Sequence, residues 1–192
     1  MTDSAKKRRF EEIVLPHLDA AYNLARWLTR NDQDAQDVVQ DAYLRAFRYF
    51  DGFRGNEARA WLLVIVRRSC YSWLEKNRPA EVVAVFDEDE PMQGGAGFDA
   101  EIAGAHGGNP EAIALQNAHR RILNDAIAAL PLGFREVLIL RELEDMSYKE
   151  IARIIDVPMG TVMSRLARAR KLLQQSAPLR ALSGLPLSEA KT

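Results

Sequence analysis

Residues 146–173 read MSYKEIARIIDVPMGTVMSRLARARKLL, and this stretch decides the fold. Ser147 and Glu150 have the spacing of a capping box, in which each side chain binds the backbone N–H of the other residue at a helix start. Apolar residues then recur at helical spacing as far as Ile155. Pro158 can begin a second helix at its first position. The stretch therefore predicts two short helices joined by a tight turn.

The second of these helices has two faces of different chemistry. Its inner face is predicted to carry Val162, Leu166, Ala169 and Leu173, and its outer face Thr161, Ser164, Arg165, Arg168 and Lys171. A helix-turn-helix places such a helix in the major groove of DNA, where Arg can bond guanine and hydroxyls can bond bases or phosphates. The same spacing also fits an amphipathic helix pair with a solvated charged face, and this stretch alone leaves both interpretations open.

Charge is separated into blocks along the 192 residues, although the net charge is only −1. Residues 45–78 hold eight basic and three acidic side chains, and residues 149–171 hold six basic and two acidic ones. Residues 81–111 hold eight acidic side chains and no Lys or Arg, together with two Gly-Gly pairs and no sustained periodicity. Such composition is typical of a linker. The sequence therefore predicts two basic modules joined by an acidic tether.

Both modules are predicted to be helical, and the fold class is all-α. In the first module, one helix contains Pro16 in its first turn or at a kink, a second is capped by Asp32 or Asp34, and a third follows a cap at Asn56. No alternating apolar and polar run is long enough to predict a sheet. The expected divisions are a first domain over residues 1–80, a linker over 81–109, a second domain over 110–175 and a tail over 176–192.

Eight aromatic residues lie within the basic stretch of the first module. They are Tyr43, Phe47, Tyr49, Phe50, Phe53, Trp61, Tyr71 and Trp73. Exposed rings beside Arg side chains suit single-stranded nucleic acid, because rings stack on splayed bases and cations hold phosphates. The alternative is that all eight rings belong to the core or its rim, and the sequence leaves that open.

Several classes of protein and site are not favoured by the sequence. A single cysteine, Cys70, excludes a disulfide framework or a multi-cysteine zinc site, and its apolar neighbours predict a buried packing role. His17, His106 and His119 lack metal-ligand spacing, and no P-loop or dinucleotide fingerprint occurs, so we expect no catalytic residue, metal or cofactor. The longest apolar run, residues 61–66, is too short to cross a bilayer. We expect a cytoplasmic protein without membrane insertion.

Several motifs in a fixed order resemble the bacterial group IV sigma factors of the sigma-70 family, the extracytoplasmic-function type. Residues 34–46, DAQDVVQDAYLRA, resemble the region 2.2 signature, and residues 60–67 resemble the start of region 2.4. Residues 130–138, 147–152 and 160–166 resemble region 4. The resemblance implies a region 2 helical bundle and a region 4 helix-turn-helix. It also implies a factor that directs RNA polymerase core to promoters, in a stress or envelope response, under the control of an anti-sigma factor.

The resemblance also assigns roles to residues and partners. Core polymerase is expected to contact the chain through its β′ coiled coil and its β flap, and the β′ coiled coil is expected to meet Asp37, Gln40, Asp41 and Leu44. The residues implied for capturing the −10 element as single-stranded promoter DNA are Phe50, Phe53, Arg54, Asn56, Arg59, Trp61, Arg67 and Arg68. The residues implied for reading the −35 element as duplex DNA are Thr161, Met163, Ser164, Arg165, Arg168 and Lys171.

Three positions depart from residues common in that family. Arg68 stands where Asn is frequent, which bears on the preferred −10 bases, and Met163 stands where Lys or Arg is frequent. Asp156 replaces a frequent Gly in the turn of the helix-turn-helix. Asp tolerates left-handed backbone better than most residues, so we expect the turn to be kept.

A stand-alone dimeric helix-turn-helix regulator is the alternative function. It accounts for residues 147–171 but leaves the first module without a role. It predicts a specific footprint by the protein alone on a two-fold DNA site, whereas a sigma factor binds promoters specifically mainly together with core polymerase. An all-helical enzyme is a third class, and the scattered histidines do not favour it.

Overall fold

The computed structural model describes residues 3–83, 110–176 and 179. These residues contain helices and no strand, which confirms the all-α fold class. The acidic residues 84–109, His106 among them, and nearly all of the tail lie outside the described residues, so the predicted linker and tail keep the standing of predictions.

The helices fall into the two expected modules. The first module, residues 3–83, contains α1 (Asp3–Val14), α2 (Leu18–Thr29), α3 (Asp32–Tyr49), α4 (Ala58–Asn77) and α5 (Pro79–Val83). The second module, residues 110–176, contains α6 (Pro110–Ala128), α7 (Leu132–Glu142), α8 (Tyr148–Ile155) and α9 (Met159–Gln175). Short 3-10 turns at Leu15–His17 and Phe50–Gly52 follow α1 and α3. Pro16 lies in the first of these turns, so the helix is interrupted there rather than continued.

The core of the first module is formed where α2, α3 and α4 pack against one another. Leu24, Leu28, Leu62 and Leu63 are fully buried there. Helix α1 joins this core through Phe10, whose ring meets those of Phe47 and Phe50 edge to face at centroid distances of 5.3 and 5.2 Å. Edge-to-face pairs favour one ring orientation, so α1 is held in a defined position across the end of α3.

Two of the expected helix caps are wrong. The side chain of Asn31, not of Asp32 or Asp34, caps α3, because its Oδ1 accepts a hydrogen bond of 3.0 Å from the N–H of Asp34. Both aspartates instead lie in the first turn, where their charge complements the helix dipole. Asn56 does not cap α4, which begins at Ala58 after Glu57 without a side-chain cap bond.

Helix α7 is the central helix of the second module. All nine residues from Leu132 to Leu140 are buried, including the charged Arg135 and Glu136. A helix buried on every side must have neighbours on every side. Those neighbours are α9 and α8 in its own module and α2 in the first module. Helix α8 in turn contacts α4, so the two modules meet along α2 and α4.

The helix-turn-helix forms as predicted from its capping box. The Oγ of Ser147 accepts a hydrogen bond of 3.3 Å from the N–H of Glu150, and a Glu150 carboxylate oxygen accepts one of 2.8 Å from the N–H of Ser147. The Ser147 hydroxyl also donates to this carboxylate at 2.6 Å, and the hydroxyl and N–H donors of Ser147 together lower the pKa of Glu150. Asp156 ends α8 in the left-handed conformation at φ 57°, as expected for the turn. Helix α9 begins at Met159, with Pro158 as its N-cap rather than its first residue.

Substitution of the capping serine tests this local account. We expect Ser147→Ala to lower the free energy of unfolding by about 1 kcal/mol, because the N–H of Glu150 loses its acceptor and the Glu150 carboxylate loses the Ser147 hydroxyl. Urea denaturation followed by circular dichroism measures the change. Ser72→Ala, at an exposed position inside α4, is the matched control and should cause no loss, since Ala favours helix more than Ser. Equal effects of the two substitutions would contradict a specific role of the cap.

Candidate nucleic-acid interface

The outward row of α3 is exposed. Asp37, Gln40, Asp41 and Leu44, which we call the docking row, are all exposed, and Leu44 has 56% of its surface accessible. The carboxylate of Asp41 lies 2.7 Å from Nε of Arg45 on the same helix. An exposed leucine bordered by charges and an amide is suited to binding another helix.

A shallow groove of about 430 Å³ runs beside the docking row between α2 and α3. Its walls include Leu18, Tyr22, Val39, Gln40 and Tyr43. Burial, with a smaller effect from Asp19, raises the pKa of Tyr43 to about 12, so this phenol stays neutral at ordinary pH. The groove is therefore an apolar extension of the docking row.

The loop between α3 and α4 is built on stacked aromatic rings. Phe50 and Phe53 stack with their ring centroids 6.0 Å apart, and Phe53 lies 4.9 Å from Trp61 on α4. Phe50 and Phe53 are buried, so neither ring is open to DNA bases in this structure, and their role at the −10 element stays a prediction. The loop residues are too few to form a core of their own, and their rings are covered by α1 and α4 instead.

Beside this loop lies a cavity of about 570 Å³, which we call the loop cavity. The first module supplies Arg54, Asn56 and Trp61 to its lining, and α8 supplies Arg153 and Ile154. Arg54 and Asn56 are exposed, and Trp61 is partly buried. Gly55 has φ 127°, a backbone conformation that residues with a side chain rarely adopt, so the rim of the loop cavity favours glycine at this position. The volume is that of a small-molecule pocket and can hold a flipped base.

The basic residues expected to contact DNA on α4 are not equally accessible. Arg68 is exposed. Nε and an Nη of Arg67 donate to the carboxylate of Glu136 on α7 at 2.6 and 3.3 Å. An Nη of Arg59 donates to the carboxylate of Glu144 at 2.5 Å. Although burial opposes its charge, the carboxylate of Glu136 raises the pKa of Arg67.

Sequence reasoning missed these two carboxylates. Glu136 is completely buried and also accepts a hydrogen bond of 3.1 Å from the hydroxyl of Tyr71. Glu144 is 4% exposed and accepts one of 3.2 Å from Nδ2 of Asn23. Glu136 follows Arg135 in an ordinary amphipathic pattern, and no local signal in the sequence shows that the first module covers it.

The outer face of α9 is largely as expected. Met163, Ser164, Arg168 and Lys171 are exposed, and Thr161 is partly buried. Arg165 is only 9% exposed, so its predicted outward position is wrong in this structure. It precedes Leu166 and lies three residues after Val162, which puts it at the border of the buried face, where a long apolar stem can cover the core.

The aromatic residues of the first module follow mainly the core interpretation. Tyr49 is 67% exposed, while Tyr43, Phe47, Trp61, Tyr71 and Trp73 are partly buried against the core. Cys70 is buried as predicted, and burial raises the pKa of its thiol. Among residues 3–83, 110–176 and 179, no group of acidic, His and Cys side chains has the arrangement of a metal site. No helix in the same part of the chain combines the length and apolar character needed to span a bilayer.

Comparisons with known proteins all find members of one family. Residues 13–79 match the family described as sigma-70 region 2, and residues 120–173 match sigma-70 region 4. The chain is 38% identical over 143 residues to the ECF RNA polymerase sigma-E factor of Escherichia coli strain K12, covering 73% of this chain and 72% of that protein. It is 34% identical over 154 residues to the ECF sigma-E factor of Haemophilus influenzae, covering 79% and 77%.

A solved structure shows the same arrangement of helices. The sigma factor RpoE of Bartonella quintana, co-crystallised with the anti-sigma factor NepR, matches with a TM-score of 0.65 and 29% identity. The match covers 88% of this chain and 96% of that chain. The likeness therefore extends across both modules.

Proposed function

The chain belongs to the ECF RNA polymerase sigma factors of the sigma-70 family, and we propose that it directs core RNA polymerase to a specific set of promoters. One observation carries the proposal. An exposed docking row lies in one module, and a helix-turn-helix with an exposed polar face lies in the other. A regulator that works without polymerase has no use for the first of these surfaces.

The docking row is proposed to bind the coiled coil of the polymerase β′ subunit. Leu44 supplies the apolar anchor, and Asp37, Gln40 and Asp41 supply the polar rim that orients two helices. The second module is proposed to contact the β flap. With both contacts made, polymerase holds the two modules at separate parts of one promoter.

The second module is proposed to read the −35 element as duplex DNA. Helix α9 enters the major groove, where Ser164 and Arg168 reach bases or phosphates and Lys171 holds a phosphate. Thr161 and Met163 border this contact, and Met163 can pack on a thymine methyl group. Arg165 takes part once its side chain turns away from the helix core.

The first module is proposed to trap the −10 element as single-stranded DNA. A base leaves the stack and enters the part of the loop cavity that the first module lines, where Trp61 offers a ring face and Asn56 offers hydrogen-bonding groups. Arg54 and Arg68 are proposed to hold the phosphates around it, joined by Arg59 and Arg67 once these two leave Glu144 and Glu136. Unstacking costs a few kcal/mol, and stacking of about 1–3 kcal/mol per base offsets that cost.

Regulation is proposed to follow the pattern of the solved relative. The Bartonella quintana sigma factor was co-crystallised with an anti-sigma factor, and we expect an anti-sigma factor to hold the present chain in the cytoplasm until an envelope or stress signal. The chain is a non-catalytic initiation factor, and the polymerase carries out RNA synthesis.

Run-off transcription with purified core polymerase and a promoter library tests the function. Selective initiation at a subset of promoters, only when this chain is added, is the expected result. Footprinting of the same promoters by the chain without core should show little specific protection. A specific footprint by the chain alone, with no selective initiation, would favour a stand-alone dimeric regulator.

A docking variant tests the role of α3. Leu44→Ala should weaken binding to core polymerase about tenfold, because an exposed apolar anchor at the centre of a docking surface contributes more than 1 kcal/mol. Fluorescence titration of labelled protein with core, without DNA, measures the affinity. Tyr49→Ala is the matched control, since it also removes a large exposed side chain from α3 but lies about 140° around the helix. A greater loss for Tyr49→Ala would place the docking surface elsewhere.

A further inference from the structure

Two buried carboxylates of the second module, paired with donors of the first, form part of the contact between the modules. Glu136 accepts from Arg67 and Tyr71, and Glu144 accepts from Arg59 and Asn23. We call these two groups of contacts the carboxylate clasp. Both carboxylates are at least 96% buried, whereas Arg67 and Arg59 keep 18% and 35% of their side chains accessible. A buried carboxylate is tolerated when its oxygens are paired, and here the pairs all reach across the module boundary.

The geometry of the clasp is specific. Arg67 meets Glu136 with two N–H donors, the forked arrangement that also binds phosphate. The Arg67 guanidinium also lies 4.3 Å from the ring centroid of Tyr71, which holds it in place. The positions of the carboxylate oxygens are therefore positions where the first module accepts anions.

The clasp covers the surface that the proposed function assigns to the −10 strand. Arg59 and Arg67 belong to that surface, and each is paired with the second module. Arg153 and Ile154 of α8 also form part of the wall of the loop cavity, and Arg153 is paired with Glu57 at its edge. While these contacts stand, the N–H groups of Arg59 and Arg67 that bond the carboxylates are not available to a DNA phosphate.

We propose that the second module is an intramolecular ligand of the first, and that the clasp of Glu136 and Glu144 competes with single-stranded DNA for Arg67 and Arg59. The inference rests on the proposed function for the identity of the competing strand. In the free chain the −10 surface is closed by the chain's own helix-turn-helix module. Core polymerase, which holds the modules apart, releases the clasp and exposes both guanidiniums to DNA.

Neutral variants of the full chain test the clasp. Glu136→Gln with Glu144→Gln keeps the side-chain shape and removes two charges from the clasp. Glu142→Gln with Asp145→Asn is the matched control, because it removes two charges from exposed positions of the same segment. The first measurement is the radius of gyration by small-angle X-ray scattering. The second is the affinity for a fluorescein-labelled mixed-sequence single-stranded DNA of about 16 nucleotides, long enough for one binding site.

The clasp variant should be more extended than wild type and should bind the DNA about tenfold more tightly, as two guanidiniums become free for phosphates. The control should match wild type in both measurements. A clasp variant that stays compact, or that opens without any gain in DNA affinity, overturns the proposal.

A second variant covers the case in which the first does not fold. Asn23→Ala with Tyr71→Phe removes two donors from the clasp without changing charge, and it should shift both measurements in the same direction by a smaller amount. Wild-type values for this variant would also count against the clasp. Because neither measurement uses polymerase, failure of the transcription assay would leave these results intact and would reject only the proposed function.

Discussion

Leu140→Ala should lower the free energy of unfolding by about 3–5 kcal/mol, which makes it the substitution with the largest expected effect on stability. Leu140 is fully buried at the end of the buried part of α7. Removing most of its side chain loses transfer free energy and leaves a cavity between rigid helices that can close only in part. Urea denaturation monitored by circular dichroism measures the loss.

Leu143→Ala provides the matched comparison. Leu143 follows α7 directly and keeps 51% of its surface accessible. The same chemical change there should cost less than about 1 kcal/mol. If the two variants lost equal stability, or if Leu140→Ala were neutral, α7 could not be the central helix that holds α9 and α2 together.

The role of α7 also shows how far the sequence could predict this fold. The capping box at Ser147, the two helices after it and the three helices expected in the first module follow from local spacing, whereas α1 and α5 were not predicted. Burial of Arg135 and Glu136 does not follow, because a charged residue on a helix normally faces water. Their burial depends on the first module, which packs on α7 through α2. This is a long-range contact that no local sequence pattern contains.

The surroundings of Arg135 at the module boundary also could not be predicted from local sequence. Its guanidinium donates to the carbonyls of Ala128 and Leu130 at 2.6 and 3.1 Å and lies 3.6 Å from a carboxylate oxygen of Glu81. Burial and the nearby Arg30 lower its pKa to about 10, so it remains charged at neutral pH. Glu81 was expected to open the linker, but it lies in α5 and its ion pair with Arg135 connects the modules.

Some features of the candidate site could likewise be predicted from the sequence, and others could not. The exposure of the docking row could be predicted because it needs only helical spacing, and all four residues are exposed, whereas their docking role is implied by the family resemblance and stays a prediction. Burial of Phe50, Phe53 and Arg165 could not be predicted, because it depends on which neighbouring helices cover them. The pairing of Arg59 and Arg67 with acidic residues far along the chain has the same cause.

Arg54→Ala with Asn56→Ala should reduce open-complex formation about 10- to 100-fold, the largest expected effect on function. Both residues are exposed at the rim of the loop cavity, so their removal leaves the buried rings of Phe50 and Phe53 in place. The promoter must recover a few kcal/mol for each unstacked base, and each 1.4 kcal/mol lost at the cavity changes the equilibrium about tenfold. Permanganate reactivity of thymines in the −10 element, with holoenzyme, measures strand opening.

A comparison of duplex and premelted promoters shows whether the double substitution affects base capture. On a premelted promoter the strand is already unpaired, so the variant should regain most of its activity because the cost of unstacking has been removed. Asp51→Asn, an exposed change in the same loop but outside the lining of the loop cavity, is the matched control and should open duplex promoters like wild type. Core binding by the variant should also be unchanged, because the docking row lies on α3. An equal defect on duplex and premelted templates would mean that Arg54 and Asn56 do not act by trapping bases, and the −10 contact would have to be sought on another face of the first module.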